Sequence, residues 1–238
     1  MENIGLLRMP IGNFQSAWNA LYELGFDPVM VDESSDFDDL THLIVPGVGN
    51  FKAVMAHLES KGLPDKIRAF ALTGRPTLGI CVGMQLLATR STESGDTNGI
   101  GFVEGTVSRL PGGPGMPLPH VGWSTVDLRR SHPVTDGIKQ GRDFYFVHSY
   151  AMHCENDADW IGATNYGTDF VSIVGRDNVV GFQFHPEKSQ ANGLKLLENF
   201  CYWDGQCWRR ESSRSNCSSM AAWSRRCNST AGATSAIR

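Results

Sequence analysis

The pattern of apolar and polar positions predicts strands alternating with helices over residues 4–87. Short apolar runs bounded by turn residues predict buried strands, and apolar residues at helical spacing predict the helices between them. The predicted strands are residues 4–7, 28–31, 43–45 and 77–80, and the predicted helices are residues 14–22, 51–58, 65–72 and 81–87. This alternation predicts an α/β fold with a doubly wound, mostly parallel sheet flanked by helices.

Beyond about residue 101 the pattern changes to shorter strands separated by turns, which predicts additional antiparallel strands. These predicted strands are residues 102–107, 122–128, 143–150, 160–164, 171–174 and 179–184, and a last helix covers residues 194–200. A chain of 238 residues with 41% hydrophobic content can bury one medium-sized core. We therefore predict a single domain over residues 1–205.

The composition changes abruptly in residues 206–238. Residues 208–238 hold six arginines, no lysine and one acidic residue, and they lack apolar periodicity. Such a segment cannot bury enough apolar surface to offset the entropy of ordering. We predict a disordered, basic tail rich in serine and arginine, and prefer this to a nucleic-acid or membrane function for the arginines.

Charge and hydropathy exclude several classes of partner. The formal charge of −4 and the pI near 6.0 provide no global basic field, so no nucleic-acid partner is expected. No apolar run approaches the ~18 residues of a membrane span and no secretory leader is evident, so we expect a cytoplasmic protein without membrane contact. The six cysteines show no paired spacing, which predicts a reduced domain without a structural metal or cofactor.

A candidate nucleophile lies in the segment Gly-Ile-Cys-Val-Gly at residues 79–83, between a predicted strand and a predicted helix. This arrangement is a nucleophile elbow, whose sharp turn places Cys81 in a strained backbone region and leaves no room for side chains at its flanks. The alternative is a buried structural cysteine followed by a glycine turn.

A candidate base and its orienting group lie in the segment His-Pro-Glu at residues 185–187, at the end of a predicted strand. A thiolate nucleophile requires a nearby base, and the base requires a group that fixes its tautomer. His185 and Glu187 supply both, which predicts a triad with Cys81. The alternative is a polar capping turn.

A candidate oxyanion site follows the buried strand 43–45, in the segment Pro-Gly-Val-Gly at residues 46–49. Such a loop can direct backbone N–H groups at a developing oxyanion, together with the N–H that follows the nucleophile. The predicted contributors are Gly47, Val48, Gly49 and Val82. The alternative is an ordinary glycine-rich turn.

The three segments belong to a series of five stretches that follow one another in a characteristic order. The five are Pro-Gly-Val-Gly at 46–49, Gly-Ile-Cys-Val-Gly-Met-Gln at 79–85, Pro-His-Val-Gly-Trp at 119–123, Tyr-Phe-Val-His-Ser-Tyr at 145–150, and Phe-Gln-Phe-His-Pro-Glu-Lys-Ser at 182–189. Over about residues 5–200 the chain resembles the class I, triad-type glutamine amidotransferases, and among them the glutaminase subunits of imidazole glycerol phosphate synthases. The resemblance implies a flavodoxin-like fold and hydrolysis of glutamine to glutamate and ammonia for histidine biosynthesis.

The resemblance also implies roles for individual residues. Cys81 would attack the side-chain amide, His185 would protonate the leaving ammonia and then activate water, and Glu187 would orient His185. The residues that match positions holding the amino-acid end of glutamine are Gln85, Glu93, His148, Ser149 and Tyr150. Gln85 could instead be an ordinary polar helix position, and Tyr150 a half-buried strand residue.

In this family the glutaminase forms a heterodimer with a (β/α)8 barrel synthase subunit, through which ammonia travels. Trp123 and Lys188 match positions at that interface, and Asn13 lies in a loop that matches another part of it. An exposed tryptophan is a plausible anchor, whereas a core tryptophan at the start of a strand is the alternative.

Two departures from the family pattern lie near the partner-facing side. Residues 8–13 read Arg-Met-Pro-Ile-Gly-Asn where many members carry Asp-Tyr-Gly-x-Gly-Asn, and Ser124 replaces the usual Asn. They leave open a paralogous glutaminase that feeds a different synthase, such as one that modifies a surface-polysaccharide sugar. A non-catalytic scaffolding module and a stand-alone cysteine hydrolase are the remaining alternatives, which the intact triad and the glutamine-binding positions disfavour.

Overall fold

Short apolar strands form the centre of the molecule. The computed structural model describes residues 2–9 and 13–206. All residues of four strands near the sheet centre, β1, β3, β4 and β13, are buried, as expected for parallel strands covered on both faces. The strands are β1 Ile4–Leu7, β2 Val29–Val31, β3 His42–Val45, β4 Thr77–Ile80, β5 Ala88–Ser91, β6 Thr97–Asn98, β7 Val103–Arg109, β8 His120–Leu128, β9 Arg142–His148, β10 Tyr150–Cys154, β11 Trp160–Tyr166, β12 Thr168–Arg176 and β13 Val179–Phe182.

Amphipathic helices cover this sheet. The α-helices are α1 Phe14–Glu23, α2 Phe51–Ser60, α3 Leu63–Leu72, α4 Val82–Gln85 and α5 Gln190–Tyr202. Helix α1 contacts α5, and α2 contacts α3. Local sequence sets the helix starts, because the Asn50 side chain accepts the Ala53 N–H at 3.1 Å and Pro64 occupies the first turn of α3.

The main sheet has nine strands in the order β2-β1-β3-β4-β13-β12-β11-β8-β9. Pairing from β2 to β13 is parallel, and pairing from β13 to β9 is antiparallel. The parallel part has the 2-1-3-4-5 order of flavodoxin-like folds, in which ligands bind beyond the carboxyl ends of the strands. The predicted fold class is therefore confirmed.

A second sheet of four strands, β10-β7-β5-β6, was not predicted in full. Strands β5 and β6 were missed, and the prediction of one strand over residues 143–150 was wrong. The chain there forms β9 in the main sheet and β10 in the second sheet, and it crosses between the sheets at Ser149. Three short 3-10 helices complete the described part, Pro133–Thr135, Asp157–Asp159 and Pro186–Lys188. Residues 207–238 of the predicted disordered tail lie outside the described residues.

Candidate active site

Three neighbouring parallel strands deliver the predicted catalytic segments to one edge of the sheet. Strand β4 leads into Cys81, β13 leads through two further residues to His185, and β3 leads into the 46–49 loop. The strands are in register, with Val45 opposite Gly79 and Phe182 opposite Ile80. Segments far apart in sequence therefore meet at a common edge, as the carboxyl ends of parallel strands require.

Cys81 occupies the strained backbone predicted for an elbow nucleophile. Its φ is 54° and its ψ is −112°, a conformation that L-residues rarely adopt. The flanking glycines are required by close backbone approach: a Cβ on Gly79 would lie 2.4 Å from the Gly83 carbonyl oxygen, and one on Gly83 would lie 1.9 Å from that of Val45. Such strain at a buried cysteine supports the elbow reading over a structural cysteine.

His185 and Glu187 are hydrogen bonded, as predicted. The His185 Nδ1 and Glu187 Oε1 atoms are 2.7 Å apart, and both side chains are buried. Burial alone would lower the pKa of His185, but the hydrogen bonds and charges of Cys81 and Glu187 outweigh it and raise the pKa to about 10. A thiol, a protonated imidazole and a carboxylate that contacts the imidazole are thus placed together, which is the set of groups that triad chemistry requires.

Glu187 has a second partner that sequence reasoning did not place there. The Asn13 side-chain amide donates to the same Oε1 atom, while Oε2 is buried without a hydrogen-bond partner in the described part of the chain. Asn13 is the N-cap residue of α1, yet its side chain makes no capping hydrogen bond. A residue type suited to capping is thus used to hold the carboxylate.

Gln183 is a site residue that the sequence interpretation missed. Its side-chain amide nitrogen lies 3.9 Å from Cys81 Sγ, and its Oε1 accepts the Gln85 side-chain N–H at 3.0 Å. Gln183 is fully buried in an otherwise apolar segment. A lone polar residue in such a run was the available signal, because buried polar groups are kept when they have partners.

The predicted oxyanion loop is close to the nucleophile but is not arranged to bind an oxyanion. The Val82 N–H donates to the Gly47 carbonyl at 3.2 Å, so this donor is already occupied. Gly49 has a φ of +104° and Val48 is partly exposed. Rotation of the Gly47–Val48 peptide would remove the carbonyl and release the Val82 N–H.

Two of the predicted substrate residues, Gln85 and Glu93, are each hydrogen bonded to a backbone group. Gln85 is buried, and its side-chain N–H donates to the Tyr150 carbonyl at 2.8 Å. Glu93 lies at the start of α2, where its Oε2 accepts the Phe51 N–H at 2.7 Å. These contacts orient Gln85 and Glu93 without a ligand, so their binding roles stay predictions.

The remaining predicted substrate residues lie where the chain crosses between sheets. His148 is buried, and its ring nitrogens contact the Tyr150 carbonyl and His120. The Ser149 carbonyl accepts the Leu110 N–H at 2.9 Å. Burial lowers the pKa of His148 to about 3, so its imidazole is neutral. The His148 side chain therefore supports the segment, whereas the Ser149 and Tyr150 side chains are partly exposed.

Two of the predicted partner residues, Trp123 and Lys188, lie at an exposed face of strands β8 and β9. Trp123 is 47% exposed, so it is not the core residue of the alternative reading. Its ring packs edge-on against Tyr145 at 5.9 Å, and Lys188 Nζ lies 6.0 Å from the centroid of the same Tyr145 ring. Val121 and Val147, opposite each other on β8 and β9, extend this face.

Residues 2–9 and 13–206 contain neither a membrane-spanning helix nor a cluster of metal ligands. No helix within these ranges is long and apolar enough to cross a membrane. The same residues contain no group of three or more His, Cys, Asp or Glu side chains placed to hold a metal ion.

Comparisons with known proteins agree with this geometry. A family model described as glutamine amidotransferase class-I matches residues 11–203. Imidazole glycerol phosphate synthase subunit HisH 2 of Nitrobacter winogradskyi is 40% identical over 211 residues, which cover 86% of this chain and 100% of the relative. Subunit HisH of the same synthase from Aquifex aeolicus is 44% identical over 193 residues, covering 80% of this chain and 91% of the relative.

Solved structures of lower identity share the fold. A chain of PurLQS from Thermotoga maritima superposes with a TM-score of 0.68 at 19% identity, covering 84% of this chain and 98% of that chain. A glutamine amidotransferase from Thermotoga maritima gives a TM-score of 0.60 at 15% identity, covering 84% and 82%. These likenesses show the fold, and the family model and the HisH relatives show that the chain belongs to the class-I glutamine amidotransferases, within the HisH group of glutaminase subunits.

Proposed function

We propose that this chain hydrolyses glutamine to glutamate and ammonia as the glutaminase subunit of an imidazole glycerol phosphate synthase, in histidine biosynthesis. The observation that carries the proposal is the Cys81 elbow facing the hydrogen-bonded pair of His185 and Glu187. The Cys81 thiolate attacks the side-chain amide carbon. His185 gives its proton to the leaving nitrogen and then takes one from the water that cleaves the thioester.

The substrate's amino-acid end is assigned to the edge where β9, β10 and α4 meet. Gln85, Glu93, His148, Ser149 and Tyr150 are the proposed residues. The Gln85 side chain and the Tyr150 carbonyl are tied together at 2.8 Å, close to the nucleophile's helix. A preorganised polar side chain of this kind suits a small zwitterion, because the hydrogen bonds of Gln85 to Tyr150 and Gln183 already hold it in place before binding.

The closed oxyanion loop implies that the isolated subunit is a poor glutaminase. With the Val82 N–H donating to Gly47, the tetrahedral intermediate lacks a donor that such sites require. Losing one oxyanion donor costs about 10²–10³ in kcat in a well-studied protease. Partner docking that rotates the Gly47–Val48 peptide would free the Val82 N–H and add the N–H of Val48 or Gly49 as a second oxyanion donor. Glutamine would then be cleaved only when the partner is bound, so that no ammonia is lost to solvent.

The proposed partner is a (β/α)8 barrel synthase subunit that binds the face of Val121, Trp123, Tyr145 and Val147 as a heterodimer. Lys188 lies beside Tyr145 of this face, and Asn13 contacts Glu187, the residue that precedes Lys188. An exposed aromatic anchor surrounded by aliphatic residues is typical of interface hot spots. A cytoplasmic location belongs to the proposal, because the described cysteines, Cys81, Cys154 and Cys201, are unpaired, which suits a reducing compartment.

The test is the glutaminase rate with and without a purified barrel subunit and its nucleotide substrate. We expect low activity of the chain alone, strong stimulation by the partner, and loss of turnover by about 10⁴-fold or more in Cys81→Ala, with partner binding retained. Turnover near the wild-type rate in Cys81→Ala would remove the nucleophile assignment. Labelling of Cys81 by a glutamine-analogue inactivator without stimulation would point to a different synthase.

A further inference from the structure

A line of hydrogen bonds connects a half-exposed serine to the segment beside the nucleophile. Ser124 Oγ lies 2.8 Å from His120 Nε2, and His120 Nδ1 lies 3.1 Å from His148 Nε2. His148 Nδ1 lies 2.9 Å from the Tyr150 carbonyl oxygen. The side chains of His120 and Ser124 do not contact the triad, so the triad does not account for these hydrogen bonds.

The chemistry of the last acceptor fixes every proton along this line. A carbonyl oxygen only accepts, so His148 carries its hydrogen on Nδ1 and presents a lone pair at Nε2. His120 must then donate from Nδ1, which leaves its Nε2 as an acceptor for the Ser124 hydroxyl. The line therefore runs in one direction, from Ser124 through His120 and His148 to Tyr150, and both imidazoles are Nδ1–H tautomers.

The surroundings hold both rings neutral and in place. His120 is stacked between Tyr166 and Phe146, with ring centroids 4.1 Å and 5.1 Å away, and His148 packs against Phe170 at 5.0 Å. Burial lowers the pKa of both histidines. Protonation of His148 at Nε2 would set its new N–H against the Nδ1–H of His120, whereas protonation of His120 at Nε2 would reverse the hydrogen bond with Ser124.

The line ends where the chain crosses from one sheet to the other. β9 pairs with β8 in the main sheet, and β10 pairs with β7 in the second sheet. The Tyr150 carbonyl accepts from both His148 and Gln85, at 2.9 Å and 2.8 Å. On the other side of the crossing, Cys81 Sγ lies 3.8 Å from the Val147 carbonyl oxygen. A shift of this segment would therefore move groups that face both glutamine and the nucleophile.

We propose that Ser124 and His120 are positioning residues, which act through His148 to hold the 148–150 crossing in the conformation that binds the amino-acid end of glutamine. The inference rests on the proposed glutaminase function. Of the five substrate residues proposed above, His148 then acts by positioning its neighbours and not by contacting glutamine, because both of its ring nitrogens belong to this line. It also gives Ser124 a function of its own, as the hydroxyl donor that starts the line.

Steady-state kinetics of serine variants at saturating barrel subunit form the first test. Ser124→Ala removes the donor at a half-exposed position, and we expect the KM for glutamine to rise roughly three- to tenfold, as for one lost hydrogen bond, with kcat changed less. Ser124→Thr keeps the hydroxyl and restores the KM. Thr125→Ala is the matched control, because it removes a hydroxyl bonded to Asp143 on the opposite face of β8.

The second test is independent of catalysis. Nitrogen-15 NMR of the histidine rings in the wild-type chain should show His120 and His148 as neutral Nδ1–H tautomers at neutral pH. In Ser124→Ala the His120 Nε2 atom loses its donor, so its signal should shift, while His120 keeps its hydrogen on Nδ1 because His148 Nε2 still accepts from it. Ser124→Thr should keep the wild-type signals.

Each result decides the proposal. A raised KM in Ser124→Ala alone, together with the two Nδ1–H tautomers, would support it. An unchanged KM in Ser124→Ala, an equal effect in Thr125→Ala, or an Nε2–H tautomer at His148 would overturn it. A wild-type complex that does not hydrolyse glutamine, while the tautomers are as expected, would instead reject the proposed function and leave the hydrogen-bond line intact.

Discussion

At the residue scale, His185 lies between two groups that favour its protonated form. Burial opposes the charge, but contacts with Cys81 and Glu187 raise the pKa to about 10, above the ordinary value of 6.5. A protonated imidazole beside the nucleophile is the acid needed to expel ammonia from the first intermediate. The same proton is bound more tightly in the folded state, which links the site to stability.

We therefore expect His185 to titrate near pH 10 when its ring signals are followed by NMR. Its stabilising contribution is complete below pH 6.5 and is lost as the pH rises through about 10, because the folded state then no longer binds the extra proton. Glu187→Gln removes one cause of the shift and should lower the pKa of His185. A ring that titrates near pH 6.5 in the wild-type chain would contradict this account.

Asn13 offers a second prediction at this scale. Its amide donates to the Glu187 oxygen that also contacts His185, so it should hold the carboxylate in position. Asn13→Ala is expected to lower kcat roughly ten- to a hundredfold at saturating partner, because a hydrogen bond to a charged group is lost. Asn19→Ala is the control, since Asn19 is exposed on the same helix and its side chain accepts a hydrogen bond from Gln15 at 2.8 Å. Weaker partner binding with unchanged kcat would mean that Asn13 acts at the interface alone.

At the element scale, the two faces of the β8–β9 hairpin have different proposed roles. Successive side chains of a strand point to opposite faces. His120 and Ser124 lie on the inner face with Phe146, whereas Val121 and Trp123 lie on the outer face. The hairpin thus presents the proposed docking surface on one side and supports the substrate edge on the other.

The outer face gives a prediction about association. Trp123→Ala removes the largest exposed side chain of this face and should weaken binding of the barrel subunit by about 2 kcal/mol or more, as hot-spot truncations do. Tyr22→Ala is the control, because Tyr22 is 68% exposed in the last turn of α1 and belongs to neither strand of the hairpin. Isothermal titration calorimetry measures both. Equal affinities of Trp123→Ala and the wild-type chain would move the interface elsewhere.

The elements that sequence could predict are those with local signals. The runs at 4–7 and 77–80, the elbow glycines and the pairing of His185 with Glu187 follow from apolar periodicity and residue chemistry within a few positions. The line from Ser124 to Tyr150 could not be predicted, because it depends on the register of β8 with β9. The single predicted strand at 143–150 failed for a related reason: a change of sheet leaves no break in the apolar pattern.

At the scale of the whole molecule, the C-terminal end of the described chain is hydrogen bonded to the sheet through Trp203. Trp203 is buried, its carbonyl lies 2.9 Å from His42 Nε2, and its ring packs edge-on against His132 at 4.9 Å. The ring N–H donates to the Gln206 carbonyl at 3.3 Å, and the Gly205 backbone lies against Gly74. These contacts join β3, the 3-10 helix at 133–135 and the end of α5 into one folded unit.

A truncation series should therefore show a sharp boundary. A chain that ends after Gln206 keeps every contact of Trp203, so we expect its urea midpoint and its partner-stimulated glutaminase rate to match those of the full chain. A chain that ends after Tyr202 loses the buried indole and leaves His42 without its acceptor, which should cost roughly 3–5 kcal/mol in the free energy of unfolding. A full chain that is clearly more stable than the version ending after Gln206 would contradict the predicted disordered tail. A full chain that is less active than that version would instead show that the basic segment hinders docking, because the truncation leaves the described fold unchanged.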